Sequence, residues 1–389
     1  MTRYWELLLI ADVAVLVYGW IAFPVLLALL SRKRDRPAAT AGDAVLPRVA
    51  VVLSAYNEET HIADRIRNLL DLDYPAAHWK AYIGVDGSKD RTAAEAFGAA
   101  QGRPHILVRD FAENRGKVAV LKDLVAAAGT DGAELLVFTD ANTAFAPDAL
   151  KKLCRWFGDP RVGGVSGKLS LVAPAGTKTE EGAYWKLETW LKKKESDLDS
   201  CLGANGAIYA IRRELFWSAI PANTIVDDFV IGMKVRERGY RFVYDPEAAA
   251  VEEMPPKMAD EWTRRVRIGA GGYQAIRLCR ACLHPSYGAF AWALWSHKVL
   301  RWFTPHLMLV GLAASVACVA MAHGPTLGHA ALALYAAGAA VSVLATCLEK
   351  PARGLRAIHY LLAMQAALFA GFVRFCRGNL EGRWQRTAR

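Results

Sequence analysis

Tyr56, Glu58 and Asp86, then Lys117, then Asp140 and Asn142, then Asp227 and Asp228, and finally Arg264 and Arg267 are the side chains whose types and order suit demanding chemistry. Moving a group from a nucleotide diphosphate donor to a hydroxyl makes four demands. The nucleoside is gripped, the departing diphosphate is neutralised, the hydroxyl is deprotonated, and the acceptor is positioned. Candidates for each occur in a sensible order along the chain. Each also has a plainer reading. Asp86-Gly87-Ser88 is an ordinary strand-to-helix turn with a helix cap. A single lysine is usually a solvated surface charge. Asp227-Asp228 reads as two acids at a helix N-terminus, since Phe229, Ile231 and Met233 follow at helical spacing. Against that, a carboxylate buried beside another is pushed up in pKa, towards the range of a useful base.

The elements that must position these groups alternate. Residues 48–54 form a continuous apolar run ending in a polar turn, which is the pattern of a buried strand. A helix follows with Ile62, Ile66, Leu69 and Leu70 on one face. Residues 81–85, 105–108 and 135–138 read as further strands, and 92–100 as a helix. This alternation predicts a mostly parallel α/β sheet with ligands at the carboxyl ends of its strands, where Asn57, Asp86 and Asp140 fall. A dinucleotide-binding Rossmann domain would carry GxGxxG after its first strand, and here that turn is Ser54-Ala55-Tyr56-Asn57-Glu58-Glu59, without a glycine.

Hydrophobic residues make up 53% of the 389, too many for a simple soluble domain, so the apolar excess belongs in discrete segments. Leu7 to Leu30 is long enough to span a bilayer, and Ser31-Arg32-Lys33-Arg34-Asp35-Arg36 follows it. The positive-inside rule keeps that cluster cytoplasmic and points the N-terminus outward. A cleaved signal peptide would put its charges before the apolar core. Asp12 is expected near the outer end of this span, solvated among headgroups. Residues 305–322 and 330–348 predict a hairpin of two more spans. Residues 358–373 have basic flanks on both sides, which favours an interfacial helix over a membrane crossing. Segments 261–282 and 286–303 mix Trp262, Trp292, Trp295 and Trp302 with arginine, lysine and histidine, as helices at the membrane–water boundary do. The net charge of +10 therefore faces lipid or a diphosphate. No nucleic-acid partner is expected. The seven cysteines lack metal-site spacing and read as unpaired thiols.

Six segments taken together are similar to family 2 glycosyltransferases of the GT-A fold. They are Val51–Glu59, Val85–Thr92, Asn114-Arg115-Gly116-Lys117, Thr139-Asp140-Ala141-Asn142, Gly203-Ala204-Asn205-Gly206-Ala207 and Val226-Asp227-Asp228. The nearest kinds are membrane synthases of cellulose, hyaluronan, chitin oligosaccharide and poly-N-acetylglucosamine. The resemblance implies a Rossmann-like, mostly parallel α/β GT-A domain on the cytoplasmic side, with transmembrane and interfacial helices. The divisions are then 1–36 for the first span and its basic flank, 37–260 for the GT-A domain, 261–303 for interfacial helices, 304–348 for the hairpin, and 349–389 for an interfacial or transmembrane helix with a basic tail.

Residue by residue, the resemblance implies that Tyr56, Glu58 and Asp86 bind uridine and that Lys117 reaches the nucleotide or diphosphate. Asp140 and Asn142 stand at the DxD position that holds Mg²⁺ or Mn²⁺. Asn142 replaces an acid there and brings no charge. Asp228, with Asp227 beside it, is the implied general base, and Asn205 belongs to the acceptor region. Arg264-Arg265-Val266-Arg267-Ile268 stands where polymer-extending relatives carry QxxRW. Arg267 keeps the basic position, but Arg264 and Ile268 replace the glutamine and tryptophan, against long-chain processive synthesis. Trp384, Thr387 and Arg389 resemble a gating segment that closes over UDP, at looser spacing. The implied function is inverting transfer from a UDP-sugar to a membrane lipid, a lipid-linked oligosaccharide or a growing polysaccharide in exopolysaccharide biosynthesis, at a bacterial inner membrane. Two alternatives stand. One is a processive synthase and translocator, which so few spans would permit only with homo-oligomers or polysaccharide-export partners. The other is a non-catalytic nucleotide-binding membrane subunit, supported by Asn142 alone. Nothing in the sequence names the sugar.

Overall fold

The computed structural model describes residues 2–33, 37–39, 46–172, 183–253, 258–348 and 352–380. Two compact units result. One comprises Leu27–Pro256, Ala275–Ala293 and Leu380–Arg389, and the other Met1–Leu26, Lys257–Gln274 and Leu294–Asn379.

The first unit is built on a sheet of eight strands: β1 Val49–Ala55, β2 Trp79–Asp86, β3 Ile106–Phe111, β4 Leu135–Thr139, β5 Thr143–Phe145, β6 Val162–Val172, β7 Tyr209–Arg212 and β8 Arg241–Glu253. Their order is β3-β2-β1-β4-β7-β6-β8-β5. The expected parallel half is present, with β1 beside both β2 and β4 and with β2 beside β3. Residues Val49 to Leu53 are at most 2% exposed, because helices cover both faces and make a continuous apolar run the right sequence. Ile62, Ile66 and Leu69 of the helix Ile62–Leu70 are fully buried. The other half is mixed. β7 enters antiparallel to β4 and β6, β8 runs parallel to β6, and β5 lies antiparallel to β8. The sheet is therefore less uniformly parallel than strand–helix alternation suggests. The antiparallel entry of β7 brings Tyr209 beside Phe138, the residue before Thr139 at the end of β4.

Among the described residues, four helices are long and apolar enough to cross a membrane: Thr2–Leu30, Ala289–Ala320, Leu327–Cys347 and Arg353–Cys376. Residues 286–303 do not end in a separate interfacial helix. From Ala289 the helix runs on through Pro305, passing through a π-helical stretch at Leu294–Val299. Within the second unit, Arg353–Cys376 runs antiparallel alongside Leu327–Cys347. The Leu362 side chain lies at Gly338, and Ser342 Oγ and His359 Nδ1 are 2.8 Å apart. Asp12 is not solvated, because neighbouring helices cover it. It is 6% exposed, and a Cβ at Gly311 would lie 2.7 Å from its Oδ2 and 2.9 Å from the Tyr335 hydroxyl. Close helix packing at Gly311 is what draws the carboxyl into the bundle.

Candidate active site

Three polar turns at the carboxyl ends of β1, β2 and β4 converge because those strands are parallel neighbours. Asn57 takes up a left-handed backbone (φ 54°), which asparagine tolerates better than most residues. Its side chain accepts from Lys89 N at 2.9 Å, and its own N–H donates to Ser88 Oγ at 3.0 Å, so the first two turns are tied together. Glu58 is 6% exposed, and its N–H donates to Thr92 Oγ1 at 2.7 Å.

Asp86, 2% exposed, spends its carboxylate on a third segment. It accepts from Arg115 N at 2.7 Å and from Gly116 N at 2.8 Å. These bonds fix the start of the helix Lys117–Thr130. Gly87 makes them reachable. It has φ 63°, and a Cβ there would stand 2.3 Å from Asn114 N. Lys117 follows at once, and its Nζ lies 2.7 Å from Asp140 Oδ1 and 3.9 Å from Asp227 Oδ2. Burial alone would lower the lysine's pKa, but Asp140, Asp227 and Asp228 together hold it above its ordinary value. It is a fixed cation, not a loose surface charge.

The helix Asp227–Glu237 opens with the acid pair, where the helix dipole favours negative charge. Asp227 is 7% exposed, and its Oδ2 has no hydrogen-bond donor. Burial raises its pKa to about 6; Lys117 works against the rise, and Asp228 and Asp140 add to it. Asp228 is half-buried. It accepts from Phe229 N at 2.8 Å, and its Oδ2 would be 3.0 Å from a Cβ on Gly206. A shallow cleft is lined by Ser54, Tyr56, Glu58, Lys117, Asp140, Ala141 and Asn142.

The oxygen donors here fit a hard divalent cation, which takes carboxylate and amide oxygens. Asn142 commits its amide nitrogen to Glu252 Oε1 at 2.8 Å, so the amide oxygen is the atom that would face a cation. Asp140 would supply the charge, and the buried Asp227 Oδ2 stands 3.9 Å from the same Lys117 Nζ. Among the described residues no three His, Cys, Asp or Glu side chains are placed to hold a metal ion by themselves. Diphosphate oxygens and water ordinarily complete such a shell.

Asn205 ties its turn to β6 and to the helix Ala183–Leu198. Its Nδ2 donates to Gly167 O at 2.7 Å, its N–H to Ser166 Oγ at 3.0 Å, and Lys192 donates to its Oδ1. Arg264 pairs with Glu261 at 2.9 Å on the helix Met258–Leu278, which also carries Arg267. Trp384, Thr387 and Arg389 lie outside the described residues. Sequence reasoning missed Tyr209. Its ring stacks on Phe138 with centroids 4.7 Å apart, and its hydroxyl is buried without a hydrogen-bond partner. Burial and then the charges of Asp227, Asp228 and Asp140 raise its pKa. Within the sequence it is one aromatic residue in a short strand, and nothing there marks it.

Comparison with known proteins agrees with this arrangement. A family model of glycosyltransferase-like family 2 proteins matches residues 47–271, which contain every one of these cleft residues. A poly-β-1,6-N-acetyl-D-glucosamine synthase of Staphylococcus aureus is 27% identical over 243 residues, 59% of this chain and 56% of that protein. A β-monoglucosyldiacylglycerol synthase of Trichormus variabilis is 27% identical over 244 residues, 59% of this chain and 50% of that protein. The chain thus matches about half the length of these curated relatives. A mannosyltransferase from Pyrobaculum calidifontis, solved with GDP-mannose and Mn²⁺, has a similar fold, with a TM-score of 0.73 over 96% of this chain and 99% of that one at 24% identity. With more than half of its length matched by the family model, the chain belongs to the family 2 glycosyltransferases.

Proposed function

We propose that the enzyme transfers sugar from a UDP-sugar, with inversion, to a hydroxyl of a membrane-held acceptor, a lipid or lipid-linked saccharide in polysaccharide assembly. The observation that carries this reading is Lys117 shared between Asp140 and Asp227, with Asp228 beside them at the open end of a helix. Tyr56 offers a ring for the uracil and Glu58 lines the same cleft, while Asp86 holds the Arg115–Gly116 backbone that delivers Lys117. Lys117 provides a fixed positive charge for the β-phosphate. Asp140 and Asn142 would hold Mg²⁺ or Mn²⁺, which when bound offsets the charge that builds on the departing diphosphate. Asp228 takes the acceptor's O–H proton. The acceptor oxygen then forms a bond to the anomeric carbon as the bond from that carbon to the β-phosphate oxygen breaks, releasing UDP. One direct displacement inverts the anomeric centre. Arg267 and Arg264 on the helix Met258–Leu278 suit an anionic lipid-linked acceptor. The basic run after the first span supports a cytoplasmic catalytic unit.

Two measurements test this. Asp228→Asn is expected to reduce transfer by at least about 10³-fold while UDP affinity by calorimetry stays within threefold, about 0.7 kcal/mol. Undiminished transfer would remove Asp228 as the base. Product length from purified enzyme and UDP-sugar separates one or a few additions, which the absence of glutamine and tryptophan at Arg264 and Ile268 favours, from the polymer expected of a processive synthase.

A further inference from the structure

The helix Ile62–Leu70 carries a charge where its pattern calls for an apolar residue. Arg65 lies on the buried face with Ile62, Ile66 and Leu69 and is only 2% exposed. Among the described residues no carboxylate comes within ion-pair distance of it. Its NH2 donates to Thr139 Oγ1 at 2.9 Å, its NH1 to Asn68 Oδ1, and its guanidinium stands 4.2 Å from the centre of the Phe145 ring. Burial lowers its pKa to about 9 while Asp140 works the other way, so it stays charged at neutral pH. Burying an unpaired cation is costly, and a chain that keeps one gains something else from it.

One helical turn on, Asn68 grips Phe145 from both sides. Its Nδ2 donates to Phe145 O at 3.0 Å, and its Oδ1 accepts from Phe145 N at 2.8 Å. Thr139 ends β4 and Phe145 ends β5. Between these anchors runs the turn Asp140-Ala141-Asn142. Arg65 and Asn68 therefore hold the turn at both ends, from one helix, and neither is among the residues that line the cleft.

We propose that Arg65 and Asn68 are positioning residues that fix the Asp140–Asn142 turn for the cation and diphosphate. Arg65 also supplies a buried positive charge behind Asp140. The proposal rests on the reading of Asp140 and Asn142 given above. Neither residue touches substrate.

The test is calorimetric titration of the full-length protein with UDP, with and without Mn²⁺, reading the factor by which Mn²⁺ tightens UDP. Arg65→Met and Asn68→Ala are expected to reduce that factor at least tenfold and fivefold respectively, with metal-free UDP affinity within threefold of wild type. Arg65→Lys, which keeps the charge and loses the fork, is expected to recover part of the loss. A merely structural role would lower melting temperature without changing the factor. If Arg65→Met does not fold, Asn68→Ala, at a half-buried side chain, decides alone. Asp140→Asn is run in parallel. If it abolishes the Mn²⁺ effect while the Arg65 and Asn68 variants keep it, the clamp is wrong and the site reading stands. If wild type itself shows no Mn²⁺ effect, the site reading falls and the clamp with it.

Discussion

Ionising a carboxyl that has been taken out of water costs free energy, and Asp227 shows how that cost is distributed. Its pKa rises from the ordinary 3.8 to about 6, with burial as the main cause. The folded state thus holds this proton more tightly than the unfolded chain. Asp227 contributes stability that is fully present below about pH 4 and is lost as pH rises through 6. At pH 8 the deficit is on the order of 3 kcal/mol. Asp227→Asn is therefore expected to melt above wild type at pH 8, with the gap closing by pH 4. Thermal melts across that range check this, and a gap independent of pH would contradict it. Asp140, Lys117 and Asp227 stand out in the sequence because each falls at a strand end or helix start. Tyr209 and Arg65 do not, because what matters about them is set by strands and helices distant in sequence. Arg65 did leave one trace, a charge on an otherwise apolar helix face.

The tightest constraints on the cleft are backbone approaches between elements. Alanine at Gly87 would need a left-handed backbone and would press on Asn114, parting Asp86 from the Arg115 and Gly116 amides. Gly87→Ala is expected to destabilise by more than about 1 kcal/mol and to weaken UDP binding, read by melting and calorimetry together. Gly206 is different. The nearest atoms to a Cβ there belong to the Asp228 side chain, with Oδ2 first at 3.0 Å. Gly206→Ala should lower kcat about tenfold to a hundredfold with little change in melting temperature or UDP affinity. The parallel half of the sheet could be read from its apolar runs. The mixed half could not, since β6 carries Gly163, Gly164 and Gly167, and β7 is only four residues long. Glycines and short length remove the periodicity on which a strand assignment depends.

Across the whole chain, the position of the last long helix decides where the C-terminus lies. Basic flanks argued for an interfacial helix, whereas the antiparallel contacts of Leu362 with Gly338 and of His359 with Ser342 place it beside a candidate span. A helix packed in that way is expected to cross. Cys347 and Cys376 bracket it and are the two exposed cysteines, the other five being buried. Single-cysteine variants treated with a membrane-impermeant maleimide should label Cys376 from outside and Cys347 only after permeabilisation. Labelling of both from one side would restore the interfacial reading. The buried Asp12 bears on biogenesis. An unpaired carboxylate within a lone span is costly to insert, with about 2.5 to 3.5 kcal/mol as the upper figure reached at the centre. Gly311 and Tyr335, against which Asp12 packs, are synthesised some three hundred residues after it. Until they arrive, the first helix waits in lipid with an unsheltered acid. Nascent chains halted before Gly311 therefore carry a mark of incompleteness inside the bilayer, one that membrane quality control can read and that disappears only when the bundle closes.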